Sequence, residues 1–188
     1  AGDINGDGYA DVVIGAPKYD NGQSNEGRAF VYHGSATGLS PTAAWTAEAD
    51  QVGAELGFAV DSAGDVNGDG FDDLIVGAHL WRNAENDSVG KAYLYLGGLD
   101  GLDATPGWST AAGEAGARYG SAVAGAGDVN GDGFSDILVG AHLHDNPFLN
   151  LVDCGAVSLF HGSDSGPGTT ENSFTFGLDP NDHLGSTV

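Results

Sequence analysis

Positive charge is nearly missing from this chain: 5 lysines and arginines stand against 27 aspartates and glutamates, a formal net charge of −22 over 188 residues. Nucleic acids and anionic membranes are gripped through Lys and Arg, so neither is expected as a partner. Cysteine is scarce as well. The lone Cys154 cannot form an intrachain disulfide, and no Cys/His cluster offers a zinc site. Within the strand-like run Cys154-Gly-Ala-Val-Ser-Leu-Phe it reads as a small buried residue. No apolar run approaches the roughly 20 residues that carry a helix across a bilayer. No long stretch has helical apolar spacing. No signal peptide is visible at Ala1, which reads as the start of a mature product or of an excised piece. A nucleophile elbow, a phosphate loop and a zinc-binding helix motif are all missing, and His142 and His144 read as residues of a solvated loop, so no enzyme is expected.

What the chain does contain is glycine, 33 residues of it, set beside Asp and Asn in turn-forming clusters. Those clusters repeat. Asp3-Ile-Asn-Gly-Asp-Gly-Tyr-Ala-Asp11 returns as Asp65-Val-Asn-Gly-Asp-Gly-Phe-Asp-Asp73 and as Asp128-Val-Asn-Gly-Asp-Gly-Phe-Ser-Asp136. After each comes a short apolar run ending in Gly-Ala (Gly15-Ala16, Gly77-Ala78, Gly140-Ala141), and then an alternating strand: Gly27-Arg-Ala-Phe-Val-Tyr, Gly90-Lys-Ala-Tyr-Leu-Tyr and Gly155-Ala-Val-Ser-Leu-Phe. A more variable strand containing Trp45, Trp108 or Phe174 follows. Leu56-Gly57 and Tyr119-Gly120 lead into the second and third loops, and Leu184-Gly-Ser-Thr-Val188 has the same form with no loop after it. About four short strands per unit, at a period of roughly 62 residues, predict an all-β fold of three four-stranded propeller blades. The expected repeats are about 1–62, 63–125 and 126–188, with the first and last blades split at the termini. Such a partial propeller would be completed by a longer chain or by other copies.

The nine-residue loop has the chemistry of a cation site. Side-chain oxygens fall at its positions 1, 3, 5 and 9, and position 7 can turn its carbonyl inward. Three carboxylates, an amide oxygen, a carbonyl and water supply the hard oxygens that Ca²⁺ prefers, whereas Mg²⁺ wants a smaller octahedral shell. The alternative is an acidic turn that caps only its own backbone. Three copies in one register, each crowding carboxylates that repel one another, favour the ion. Helical calcium loops place a carboxylate at position 12. Here that position is Ile14, Val76 or Val139, and the chain continues as a strand.

The pattern resembles the FG-GAP repeats of integrin α-subunit propellers and of many bacterial surface proteins. Gly15-Ala16-Pro17 matches the second half of that name, with His79 and His142 in place of the proline in the later copies. The resemblance implies three calcium ions, with about one per loop. The first loop would use Asp3, Asn5, Asp7, the Tyr9 carbonyl and Asp11. The second would use Asp65, Asn67, Asp69, the Phe71 carbonyl and Asp73, and the third Asp128, Asn130, Asp132, the Phe134 carbonyl and Asp136.

Function is then expected in binding or scaffolding outside the cell or on its surface: adhesion, protein recognition, or self-assembly. The terminal strand of one copy could complete the first blade of another, giving a head-to-tail oligomer or filament by strand addition. A glycan-binding module is the alternative, with Trp81 on a variable loop as the sugar platform and Trp45 and Trp108 in the core. An accessory domain of a secreted hydrolase is a further one.

Overall fold

The computed structural model describes residues 1–188, and every regular element in it is a strand. In chain order these are β1 (Val12–Ala16), β2 (Arg28–Tyr32), β3 (Trp45–Glu48), β4 (Ala59–Gly64), β5 (Asp73–Ala78), β6 (Lys91–Tyr95), β7 (Trp108–Ala111), β8 (Tyr119–Gly127), β9 (Asp136–Ala141), β10 (Ala156–Phe160) and β11 (Ser173–Phe176). They form three antiparallel sheets of sequential strands: β1-β2-β3, β4-β5-β6-β7 and β8-β9-β10-β11. The second and third sheets have the four strands expected of a blade. The first has three, because only Ala1-Gly2 stand before its loop.

Apolar faces decide how the sheets stack. One buried cluster joins the first sheet to the second through Ala29, Val31, Leu56, Leu74 and Val76. The other joins the second to the third through Ile75, Ala92, Leu94, Val123 and Ile137. Strand β5, covered on both faces, is buried along its whole length and reads as a continuous apolar run. Its counterpart β1 is covered on one face only, and Val12 and Ile14 stay exposed.

Tryptophan seals each junction. Trp45 meets Tyr95 of the next sheet edge-on at 4.7 Å, and its indole N–H donates to the Asp103 carbonyl at 2.9 Å. Trp108 repeats both contacts one sheet on, with Phe160 at 4.9 Å and the Gly168 carbonyl at 2.7 Å. Such a buried aromatic pair contributes about 0.5–1.5 kcal/mol beyond its burial. Strand register sets the equivalent position in the third sheet: Trp45 pairs with Val31, Trp108 with Leu94, and Ser173 with Leu159. The third copy therefore has a serine there, and Phe174, grouped with the two tryptophans by sequence, lies one place further along and faces the other way.

The repeated glycines mark where backbones touch. A Cβ on Gly15, Gly77 or Gly140 would collide with the carbonyl of Gly57, Gly120 or Gly185, which opens the following unit. Leu184 makes the same isolated parallel bridge, to Gly155, that Leu56 makes to Gly27 and Tyr119 to Gly90. The substituted prolines also have places. His79 is buried against Phe58, and that burial, with the Arg118 and His142 charges nearby, pulls its imidazole down to about 4. Cys154 is fully buried, as its sequence context predicts.

Candidate metal centres

Each loop winds around the carboxylate at its first position. In the second loop the Gly68, Asp69 and Gly70 N–H groups all donate to Asp65, at 2.7–3.1 Å. Asn67 Oδ1 accepts the Asp69 N–H, Asp69 Oδ1 accepts the Phe71 N–H, and the Asn67 amide donates to Asp69 Oδ2. The third loop repeats every one of these bonds on Asp128, Asn130 and Asp132. The first repeats them on Asp3, Asn5 and Asp7, apart from the Gly6 bond. Positions 1, 3 and 5 are thus drawn together, with their oxygens serving the backbone in the self-capping manner of Asx turns. A carboxylate oxygen retains further lone pairs after accepting one N–H, so this capping leaves the donor set able to hold an ion. The carbonyls of Tyr9, Phe71 and Phe134 accept no backbone hydrogen bond in the loop.

Position 9 is different. Asp11, Asp73 and Asp136 are buried at 2%, 0% and 0% exposure. One oxygen of each accepts the N–H of loop position 2 (Ile4, Val66, Val129), and the other accepts the glycine N–H just after the second strand that follows the loop, β2, β6 or β10 (Gly34, Gly97, Gly162), all at 2.8–3.1 Å. This aspartate therefore clamps the loop to its sheet, a role that spacing alone does not reveal. Burial pushes the Asp73 carboxyl up to about 7 against the pull of those two N–H bonds, and the charges of Asp69 and Asp65 push the same way. A bound cation would reverse that penalty. No three loop carboxylates converge as closely as Glu26, Glu48 and Asp50 do elsewhere in the chain.

The loops also lock onto one another. The Asp72 N–H donates to the Asp3 carbonyl and the Ser135 N–H to the Asp65 carbonyl; Gly98 and Ser163 likewise donate to Ile4 and Val66. The Phe71 ring lies over Gly6 of the preceding loop, and the Phe134 ring over Gly68. Where a following unit exists, the position-2 side chain is buried, as Ile4 and Val66 are; Val129, with none after it, is 57% exposed.

The comparisons with known proteins fit this architecture. The family described as FG-GAP repeat matches residues 1–32, 57–95 and 119–160. The chain belongs to the FG-GAP repeat family. Its FG-GAP units are 34% identical over 169 residues to integrin alpha-5 of Xenopus laevis, covering 88% of this chain and 15% of that protein. They are 34% identical over 174 residues to integrin alpha-PS2 of Drosophila melanogaster, with 88% and 11% covered. Integrin alpha-8 of Homo sapiens gives 34% over 173 residues, with 90% and 15% covered. The chain thus spans 11–15% of the length of these relatives.

Trp81, the sugar platform expected from sequence, is half-buried against the core, and the Lys91 ammonium sits 4.7 Å from its ring centre. His144 lies 2.9 Å from Glu114 and is ringed by Phe174 and Phe176.

Stacked loops carry a testable asymmetry. Gly68 and Gly131 both have a left-handed backbone, at φ 75° and 78°. Replacing either with alanine costs about 1–2 kcal/mol from that conformation alone. Only Gly68→Ala also displaces an aromatic ring, Phe134, 2.7 Å from the new Cβ. It is expected to destabilise by a further ~1–3 kcal/mol, measured by urea unfolding of the two variants side by side.

Proposed function

We propose that the chain is a calcium-binding FG-GAP module of an extracellular or cell-surface protein, working in adhesion through contact with a protein partner. The observation that supports this best is the threefold repetition of one oxygen-rich loop whose turns, buried aspartate and free position-7 carbonyl agree from copy to copy. Asp3, Asn5, Asp7, Asp11 and the Tyr9 carbonyl would hold the first ion. Their counterparts Asp65, Asn67, Asp69, Asp73 and the Phe71 carbonyl would hold the second, and Asp128, Asn130, Asp132, Asp136 and the Phe134 carbonyl the third. A bound calcium supplies positive charge to crowded carboxylates, which relieves their repulsion and stiffens the loop. Because each loop donates to the one before it, stiff loops hold successive sheets at a fixed angle. A rigid array of sheets is what a surface that recognises a protein partner requires. Free calcium outside cells suits the modest affinity of extracellular calcium modules.

The exposed position-5 aspartates provide the test. Calcium bound per chain, counted by native mass spectrometry, is expected to fall by one for each of Asp7→Ala, Asp69→Ala and Asp132→Ala, and chelator is expected to lower the melting temperature of the parent chain. Unchanged counts in all three variants would overturn the reading.

A second reading, head-to-tail assembly of copies, is favoured by one observation: the third unit presents Val129, Phe148 and Leu178 to solvent. Light scattering in millimolar calcium is expected to give a mass above that of one chain, reverting in chelator; a monomer under both conditions rejects assembly.

A further inference from the structure

A second kind of acidic site lies at the opposite end of the first sheet from its loop. Glu26 stands just before β2, Glu48 closes β3, and Asp50 follows with a left-handed backbone at φ 51°. Each brings one carboxylate oxygen within 4.8 Å of the others. Ala16, Arg28 and Glu48 share this end of the sheet by register, whereas Asp11 adjoins Val12 at the far end. About five strand residues, roughly 17 Å, separate the two sites.

Glu26 is fully buried. Its Oε1 accepts the Asn21 N–H at 2.6 Å, but its Oε2 has no hydrogen-bond partner. A buried carboxylate oxygen left unmatched is costly, so something should compensate it. Arg28 offsets the charge of Glu48, with Nε 3.0 Å from Oε1 but making no hydrogen bond, and its hydrogen bonds go to Tyr19 and Thr46. Asn21 also donates its amide to both Glu48 oxygens. Three carboxylates against one guanidinium leave the cluster with two negative charges in excess.

Packing does not call for these residues. The same register places Val89 and Cys154 where Glu26 stands, Ala111 and Phe176 at Glu48, and Gly113 and Leu178 at Asp50. Val89 and Cys154 are both buried, so the first repeat alone buries a carboxylate where its sisters bury an apolar side chain. We propose that Glu26, Glu48 and Asp50 form a further divalent-cation site, separate from the three loops and confined to the first repeat. An all-oxygen donor set selects a hard ion of the calcium class. Glu48 and Asp50 also line a cleft beside Tyr93 and Pro106 of the second unit, which gives the ion a path from solvent. The carbonyls of Asn25 and Glu26 accept the N–H groups of Glu55 and Leu56, so an ion here would brace the junction between the first two sheets.

The test counts calcium on the full chain by native mass spectrometry for the parent, Glu26→Val and Asp50→Gly. Valine and glycine copy Val89 and Gly113 of the second repeat, and glycine accepts the left-handed backbone while removing the donor. Each variant is expected to bind one ion fewer than the parent while still responding to the loop substitution Asp69→Ala. In chelator, Glu26→Val is expected to melt above the parent, because the unmatched carboxylate is gone. Should Glu26→Val fail to fold, the Asp50→Gly count decides. Equal counts in parent and variants would overturn the site whatever the loops bind, and a one-ion difference would support it even if the loop variants bind as the parent does.

Discussion

A buried carboxylate accepting two backbone N–H bonds is the interaction on which this chain depends. Asp11, Asp73 and Asp136 each tie position 2 of their loop to the glycine that follows the second strand after it, β2, β6 or β10. Without that tie the loop and the strand end beside it would both leave N–H groups unsatisfied in the interior, which is expensive. The tie has its own cost, evident at Asp73, whose carboxyl is driven upward by burial and by Asp69 and Asp65. A cation held by the same loop would offset it. The fold and the proposed ion sites are therefore coupled through one residue per repeat.

From that clamp the order propagates outward. A loop held to its sheet presents its position-1 and position-2 carbonyls to the next unit, which donates to them from Asp72 and Gly98, or from Ser135 and Ser163. An aromatic ring then closes over a glycine that has no side chain to obstruct it. At the other end of each sheet the Gly15–Gly57, Gly77–Gly120 and Gly140–Gly185 approaches do the same with bare backbone. Between these two lines of contact lie the apolar clusters sealed by Trp45 and Trp108. The array behaves as a set of nearest-neighbour junctions, as in other repeat proteins. In the proposed function, calcium acts on the loop line, and the Glu26 cluster would add a brace on the glycine line.

Much of this was legible in the residues because the physics behind it is local. Period-2 alternation marks β2 and β6, an apolar run marks β5, and the loop oxygens recur at fixed spacing. What could not be read concerned neighbours far apart in sequence. Phe174 marks the same strand in the third repeat as Trp45 and Trp108 do in the first two, but strand register puts Ser173 at the tryptophan position. Trp81 looked free on its loop until the fold packed it on the core beneath Lys91. The clamp role of position 9 depends on Gly34, Gly97 and Gly162, more than twenty residues away. Glu26 did leave a trace: set beside Val89 and Cys154, it is a charge at an apolar position.

In the proposed function, calcium in the loops orders the junctions between sheets. Hydrogen–deuterium exchange read by mass spectrometry tests it directly, at the loop amides and at the bridging amides of Asp72 and Ser135, in calcium and in chelator. Slow exchange is expected at these amides in calcium and markedly faster exchange in chelator, while the amides of β5 and β9 stay protected in both. Identical exchange at the bridging amides under the two conditions would contradict it.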